Sequence, residues 1–194
     1  MKEFTRYSHN PILIPSSDQL WEKYAVFNPS IIKEREKFHM FYRATSDVQN
    51  HEGTNMRVST IGHAHGLDGI HFSDRRLFIK PEETWEKFGC EDPRVTKIDD
   101  DYFIFYTALS SYPPHPEGIK VGLALSDDLH IIREKHLITP FNAKAMVLFP
   151  KKINNKITAL LTVNTDIPPA KIAVATFDTE DMLWSHSYWN RWYN

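Results

Sequence analysis

The chain is short of cysteine and glycine and has no long apolar run, and each shortage excludes a class of protein. Its 194 residues include a single cysteine, Cys90, which excludes an internal disulfide framework and a cysteine-based zinc site. No stretch reaches the ~18–20 consecutive apolar residues of a membrane-spanning helix. The first 15 residues lack the apolar centre of a secretory signal. We therefore expect a cytoplasmic protein with no membrane partner.

The chain also lacks a large net charge, because neither sign dominates. The chain has 23 Lys+Arg against 25 Asp+Glu, a formal net charge of −2. This balance argues against nucleic acid as a partner, because binding the phosphate backbone needs a basic surface. The hydrophobic fraction of 41% and charged fraction of 25% are those of a folded globular chain. The length predicts one domain over residues 1–194.

What the sequence does contain is alternation of polar and apolar residues with a period of two, which predicts β-strands. Its 12 Phe, 8 Tyr and 5 Trp favour strands as well. Strands are predicted at 25–32, 37–44, 57–64, 69–72, 94–98, 102–108, 120–126, 131–134, 147–153, 157–163 and 171–177. Helical turns are expected only at 17–22 and 81–87. The predicted fold class is all-β.

An internal repeat refines this prediction. Residues 29–44 align without gaps on residues 93–108, and residues 149–163 form a third copy. Each copy reads as a strand, a polar turn and a longer apolar strand, and a second hairpin-like stretch follows the first two copies. Four-strand units that recur every ~40–50 residues are typical of β-propeller blades. A β-sandwich with chance similarity is the alternative.

Polar residues stand at the entrance of each repeat, where the first strand of a blade faces the central channel. Asn28, Asp92 and Lys144 occupy these places. Proline follows Asn28 and Asp92, which predicts an extended backbone at both residues and a fixed side-chain direction. A carboxylate placed in this way can serve as a general acid. The alternative is an Asp-Pro turn with a salt bridge from Arg94 to Asp92.

Several ordered motifs make the sequence resemble glycoside hydrolase family 130, the β-mannoside phosphorylases and β-mannosidases. They are NPIL at 10–13, FNPSII at 27–32, FYRA at 41–44, DGIHF at 68–72, GCEDPR at 89–94 and LFPKKI at 148–153. The resemblance covers nearly the whole chain. It implies a five-bladed β-propeller that cleaves β-mannoside oligosaccharides with inversion. It implies no metal or organic cofactor.

The resemblance also assigns roles to individual residues. It implies that Asp92 is the proton donor, with the proton passing to the glycosidic oxygen through a hydroxyl of the mannose. It implies that Asn28 and Arg43 hold the mannosyl unit at the cleavage point. Asp47 and Arg94 are further substrate-binding candidates for the same pocket.

The attacking nucleophile stays open between phosphate and water. Lys144 matches one basic residue of the phosphorylases, whereas Thr162 stands where they have an arginine, so half of a phosphate site is present. Phosphorolysis would use inorganic phosphate as co-substrate and give mannose 1-phosphate. Hydrolysis would need a carboxylate base ~6.5–9.5 Å from the acid. We expect Glu91 to point away from Asp92 and therefore place that base beyond residue 194. A third alternative is an inactive or carbohydrate-binding propeller fragment.

The remaining features are secondary. His63, His65 and His71 share one strand parity and are weak zinc candidates. The aromatic run at 188–193 either stacks sugars or packs on a neighbouring blade, and the proline-rich segment 110–117 is expected to be a rim loop.

A five-bladed propeller needs well over 200 residues. We therefore expect three to four blades, a chain truncated at its C-terminus, and exposed strand edges that favour self-association.

Overall fold

The computed structural model describes residue 3 and residues 5–194, and β-strands dominate them. The strands are β1 (Ala25–Glu34), β2 (Lys37–Thr45), β3 (Gln49–His51), β4 (Thr54–Met56), β5 (Ser59–Gly66), β6 (Ser73–Ile79), β7 (Gly89–Ile98), β8 (Asp101–Leu109), β9 (Ile119–Ser126), β10 (Glu134–Leu137), β11 (Ala143–Leu148), β12 (Ile157–Val163) and β13 (Lys171–Phe177). Helix α1 (His186–Tyr193) follows them. The all-β prediction is confirmed. Within these described residues no helix is long and apolar enough to cross a membrane.

The strands form three antiparallel units in chain order. Unit 1 is β1-β2-β5-β6, unit 2 is β7-β8-β9-β10 and unit 3 is β11-β12-β13. A single parallel pair, Ser59 with Gly89, links units 1 and 2. The hairpin β3-β4 is inserted between β2 and β5. Four-stranded repeats are thus present in the first two units, while the units of the described residues do not close into a ring.

Two apolar cores lie between the units. Phe41 and Ile61 of unit 1 pack with Ile104 of unit 2. Phe103 of unit 2 packs with Leu161 of unit 3 in the other core. Strand β8 therefore buries successive residues in different cores, which explains its nearly continuous apolar sequence.

The buried acid Glu22 packs against β2, the second strand of unit 1. The Tyr42 hydroxyl donates to the Glu22 carboxylate at 2.8 Å, and Arg75 pairs with it at 2.9 Å. The Trp21 ring lies 6.2 Å from the Tyr42 ring. Gly62 makes room for both rings, since a Cβ there would lie 2.4 Å from the Tyr42 ring. Both partners bind Oε2 of Glu22, while its buried Oε1 has no hydrogen-bond partner among the described residues.

Unit 2 repeats this arrangement 60 to 64 positions later, with lysine in place of arginine. Tyr106 donates to the buried Glu86 carboxylate, and Lys135 Nζ lies 2.8 Å from it. Trp85 stacks on Tyr106 at 6.2 Å, over Gly122. The repeat therefore begins upstream of the aligned strands.

Several predicted element boundaries are wrong. Residues 69–72 form a turn, because Asp68 Oδ1 accepts the N–H groups of Ile70 and His71, and the strand starts at Ser73. Asp128 caps a similar turn, which delays the strand predicted at 131–134 to β10.

Three further predictions also fail in detail. The strand predicted at 147–153 is β11, which ends at Leu148, so the third repeat starts earlier than the sequence alignment places it. Residues 81–87 form turns, and within 17–22 only Leu20–Glu22 is helical.

The aromatic run at 188–193 lies in α1, which buries Trp189 near Phe141 and Phe177, as expected for a packing role.

Candidate active site

A β-bulge interrupts the first strand of every unit near its start. The pairing register shifts between Phe27 and Ser30 in β1, between Glu91 and Arg94 in β7, and between Lys144 and Val147 in β11. Each bulge contains one residue with positive φ: 49° at Asn28, 51° at Asp92 and 54° at Ala145.

The prediction of an extended backbone at Asn28 and Asp92 is therefore wrong. Both residues adopt the left-handed conformation, which asparagine and aspartate tolerate better than most residues. A bulge adds one residue against the partner strand and so redirects the side chains around it. The bulges, and not proline alone, set the direction of these two side chains.

The bulges bring Asn28 and Asp92 together across the boundary of units 1 and 2. Asn28 Nδ2 donates to Asp92 Oδ1 at 2.8 Å, and Arg43 Nη1 lies 3.7 Å from the same oxygen. The Asp92 side chain stays 27% exposed, so a substrate can reach it. Three residues predicted for one pocket thus lie within one group of contacts.

Arg43 is held by neighbours other than Asp92. Its guanidinium forms an ion pair with Glu91, its Nε donates to Ser59 Oγ at 3.1 Å, and it lies 4.8 Å above the Phe27 ring. Strand β2 directs Arg43 toward unit 2, since Phe41, two residues earlier on the same face, belongs to the core between units 1 and 2.

Glu91 does not point away from Asp92, contrary to the sequence prediction. Alternation of side chains holds only for a regular strand, and the bulge at Asp92 lets both carboxylates contact the Arg43 guanidinium. Burial raises the pKa of Glu91, while Arg43 and Ser59 lower it. Sequence reasoning missed Glu91 and Ser59 as site residues, although the position of Glu91 next to Asp92 was a signal.

Two contacts keep β1 and β7 side by side. The backbone N–H of Val95 donates to Ser30 Oγ at 3.1 Å. At the far ends of the same strands, Lys97 Nζ pairs with Glu34 at 3.0 Å. The first contact lies next to the bulges that carry Asn28 and Asp92, whereas the second joins the two strands far from them.

Lys144 lies at the same point of unit 3 that Glu91 occupies in unit 2. It pairs with Thr162 across β11 and β12, and its Nζ lies 3.6 Å from Asp166 Oδ1. A hydrogen bond from Thr165 is the main reason why the pKa of Asp166 is lowered. Lys144 also lowers the pKa of Glu91, so its positive charge acts on the same site.

The two remaining pocket candidates have other partners. Asp47 is exposed, accepts the N–H of Val48 at 2.8 Å and lies 3.7 Å from Lys23. Arg94 Nη1 donates to the Pro93 carbonyl at 2.8 Å. No ion pair joins Arg94 to Asp92 in the part of the chain that the structure describes. The alternative prediction, an Asp-Pro turn with a salt bridge from Arg94 to Asp92, is therefore wrong.

The three histidines named as zinc candidates have separate partners. His71 pairs with Asp68, and His65 pairs with Asp74 at 3.1 Å. Buried His63 accepts from Arg76 Nε at 3.1 Å, so its other nitrogen donates to His39 at 3.0 Å. Among the residues that the structure describes, no group of three or more His, Cys, Asp or Glu is arranged to hold a metal ion.

The predicted rim loop at 110–117 is closed by a hydrogen bond from the N–H of Ser110 to the Gly118 carbonyl at 2.9 Å. Asn142 Nδ2 donates to the Pro116 carbonyl at 2.8 Å. This contact fixes the loop next to Lys144 at the entrance of unit 3.

Comparison with known families is consistent with this geometry. The family model described as beta-1,4-mannooligosaccharide phosphorylase matches residues 4–188. The β-1,2-mannobiose phosphorylase of Thermoanaerobacter sp. (strain X514) is 38% identical over 165 residues, which are 80% of this chain and 53% of that protein. The 1,2-β-oligomannan phosphorylase of the same strain is 34% identical over 161 residues, 82% of this chain and 53% of that one.

Solved structures show the same fold. The β-1,2-mannobiose phosphorylase from Listeria innocua, in complex with β-1,2-mannobiose, superposes with a TM-score of 0.73 at 22% identity. The match covers 89% of this chain and 62% of that one. The chain spans about half the length of the curated relatives it matches.

Proposed function

Because the chain belongs to glycoside hydrolase family 130, we propose that it cleaves β-mannosides by inverting phosphorolysis and releases mannose 1-phosphate. The observation that carries the proposal is the grouping around Asp92, whose Oδ1 accepts from Asn28 at 2.8 Å and lies 3.7 Å from the Arg43 guanidinium. It joins an acid, an amide and a guanidinium at an accessible point between two units. The phosphorylase names of the relatives support phosphate as the nucleophile.

In this reaction a phosphate oxygen attacks the anomeric carbon while the bond to the glycosidic oxygen breaks. Asp92 gives its proton, through a mannose hydroxyl, to the departing oxygen. Asn28 and Arg43 bind hydroxyls of the mannosyl unit, because an amide and a guanidinium both offer donors of fixed direction. Lys144 holds the phosphate as a point charge. Asp47 and Arg94 are proposed as outer contacts of the oligosaccharide.

We further propose that the three units are blades of a five-bladed propeller and that residues 1–194 belong to one catalytic domain. The bulged first strands support this, because Asn28, Asp92 and Ala145 stand at equivalent points of consecutive units, with Lys144 directly before the third of them. The shared fold with the Listeria innocua enzyme supports it as well. The cytoplasmic location and the self-association stay predictions.

One observation favours hydrolysis as a second candidate. Thr162 faces Lys144 across the strand pair, and Asp166 already neutralises part of the lysine charge. A phosphate dianion would then meet one shared cation instead of a bidentate arginine. Glu91 does not serve as the base of this reaction, because its carboxylate is engaged by Arg43.

The test is product analysis of the purified protein with β-1,2- and β-1,4-mannobiose, with and without inorganic phosphate. We expect mannose 1-phosphate only when phosphate is present. Free mannose irrespective of phosphate would select hydrolysis, and binding without turnover would select a carbohydrate-binding protein. Asp92→Asn should abolish the product without changing the unfolding midpoint. Asp74→Asn, which changes an exposed carboxylate paired with His65, is the matched control.

A further inference from the structure

We propose that Glu91 is a positioning residue: it holds the Arg43 guanidinium away from Asp92, so that the acid is hydrogen-bonded by the neutral Asn28 amide. This inference rests on the proposed function, in which Asp92 must carry a proton. It assigns a task to a buried carboxylate that the proposed mechanism does not otherwise use.

The distances show how the guanidinium is divided among its neighbours. Glu91 engages Nη2, and Ser59 accepts from Nε at 3.1 Å. Only Nη1 faces Asp92, at 3.7 Å, which is beyond hydrogen-bonding distance. The Asn28 amide, by contrast, lies 2.8 Å from Asp92. The charged neighbour of the acid is thus kept back, and the neutral one is in contact.

Arginine without a second acid would behave differently. A planar guanidinium and a carboxylate form two parallel hydrogen bonds wherever geometry allows, and such a pair strongly favours the ionised carboxylate. An Arg43 released from Glu91 would therefore close onto Asp92 and keep that carboxylate charged. A charged Asp92 cannot protonate a leaving group.

The internal repeat shows that folding does not require an acid at this position. Phe27 in unit 1 and Lys144 in unit 3 stand at the same point before the bulge, and both bulges form with those residues. Glu91 is largely buried, with 16% of its side chain exposed, and burying a carboxylate is costly. Among the three equivalent positions only unit 2 has an acid, and the presence of Glu91 there therefore points to a role in the site.

The experiment compares Glu91→Gln with Glu34→Gln on β-mannobiose and phosphate. Glu34 is the matched control, because it pairs with Lys97 at the far end of the same two strands. We expect kcat of Glu91→Gln to fall about 10–100-fold, since a misplacement near 1 Å costs about that much. The alkaline limb of its pH–rate profile should move to lower pH, and Glu91→Asp should recover part of kcat. Glu34→Gln should leave both unchanged.

The second measurement is a crystal structure of Glu91→Gln. We expect Arg43 to move into hydrogen-bonding distance of Asp92. An unmoved guanidinium, or an unchanged kcat and pH profile, would overturn the proposal. A wild-type protein that turns over no β-mannoside would instead refute the proposed function, and the position of Arg43 in the variant would still decide whether Glu91 holds it.

Discussion

The buried ion pair of unit 2 allows the most quantitative prediction, which concerns Lys135→Met. Glu86 has no exposed surface, and its carboxylate is bound by Lys135 at 2.8 Å and by the Tyr106 hydroxyl. Burial alone would lower the pKa of Lys135, yet its bonds to Glu86 and Glu82 raise it. The ion pair with Glu86 therefore stabilises the charged form of Lys135.

Methionine keeps much of the lysine volume but removes the charge, which leaves the buried Glu86 carboxylate with neutral donors and without its Lys135 partner. Breaking a buried pair in this way costs about 3–5 kcal/mol of unfolding free energy. The double variant Glu86→Gln/Lys135→Met removes both charges, and we expect most of this loss to be recovered.

Urea unfolding followed by circular dichroism at pH 7.5 measures these differences. Lys156→Met is the control, because Lys156 pairs with Asp178 at 3.0 Å on the exposed surface, where such pairs contribute about 0–1 kcal/mol. The reasoning is refuted if Lys135→Met costs no more than this control, or if the double variant is as unstable as the single one.

The remaining predictions concern stability and packing. Burial lowers the pKa of His63 to about 3 from its ordinary value of 6.5. The unfolding free energy should therefore be unaffected above pH 6.5 and fall by up to about 1.4 kcal/mol per pH unit as the pH drops toward 3. A wild-type slope no steeper than that of His63→Gln would contradict this. Gly122→Ala places a Cβ 2.6 Å from the Tyr106 ring and should cost about 1–3 kcal/mol in urea unfolding, and an unchanged midpoint would show that the ring moves freely. Trp189→Ala removes a side chain with no exposed surface and should cost about 3–5 kcal/mol, measured in the same way; a loss below 1 kcal/mol would show that α1 adds little to the core.

Much of the fold could be predicted because strand patterns are local. Alternation predicts β1, β2, β8, β9, β12 and β13 to within a few residues, and the gapless repeat makes Asn28 and Asp92 equivalent positions. The strand prediction is wrong at the turns after Asp68 and Asp128, because their short apolar patterns resemble strands while side-chain capping determines their conformation.

The sequence by itself determined the fold class and the repeat, since those depend on residue type and spacing, whereas Asp92 as the acid with Asn28 and Arg43 beside it stays a prediction from the resemblance to the family. Tertiary structure alone decided the bulges, which need a left-handed residue opposite a partner strand, and with them the direction of Glu91. It also decided that Arg43 bonds to Glu91 and Ser59 and stays 3.7 Å from Asp92. Those contacts join β2, β5 and β7, and no local pattern in the sequence specifies the distance between side chains on three different strands.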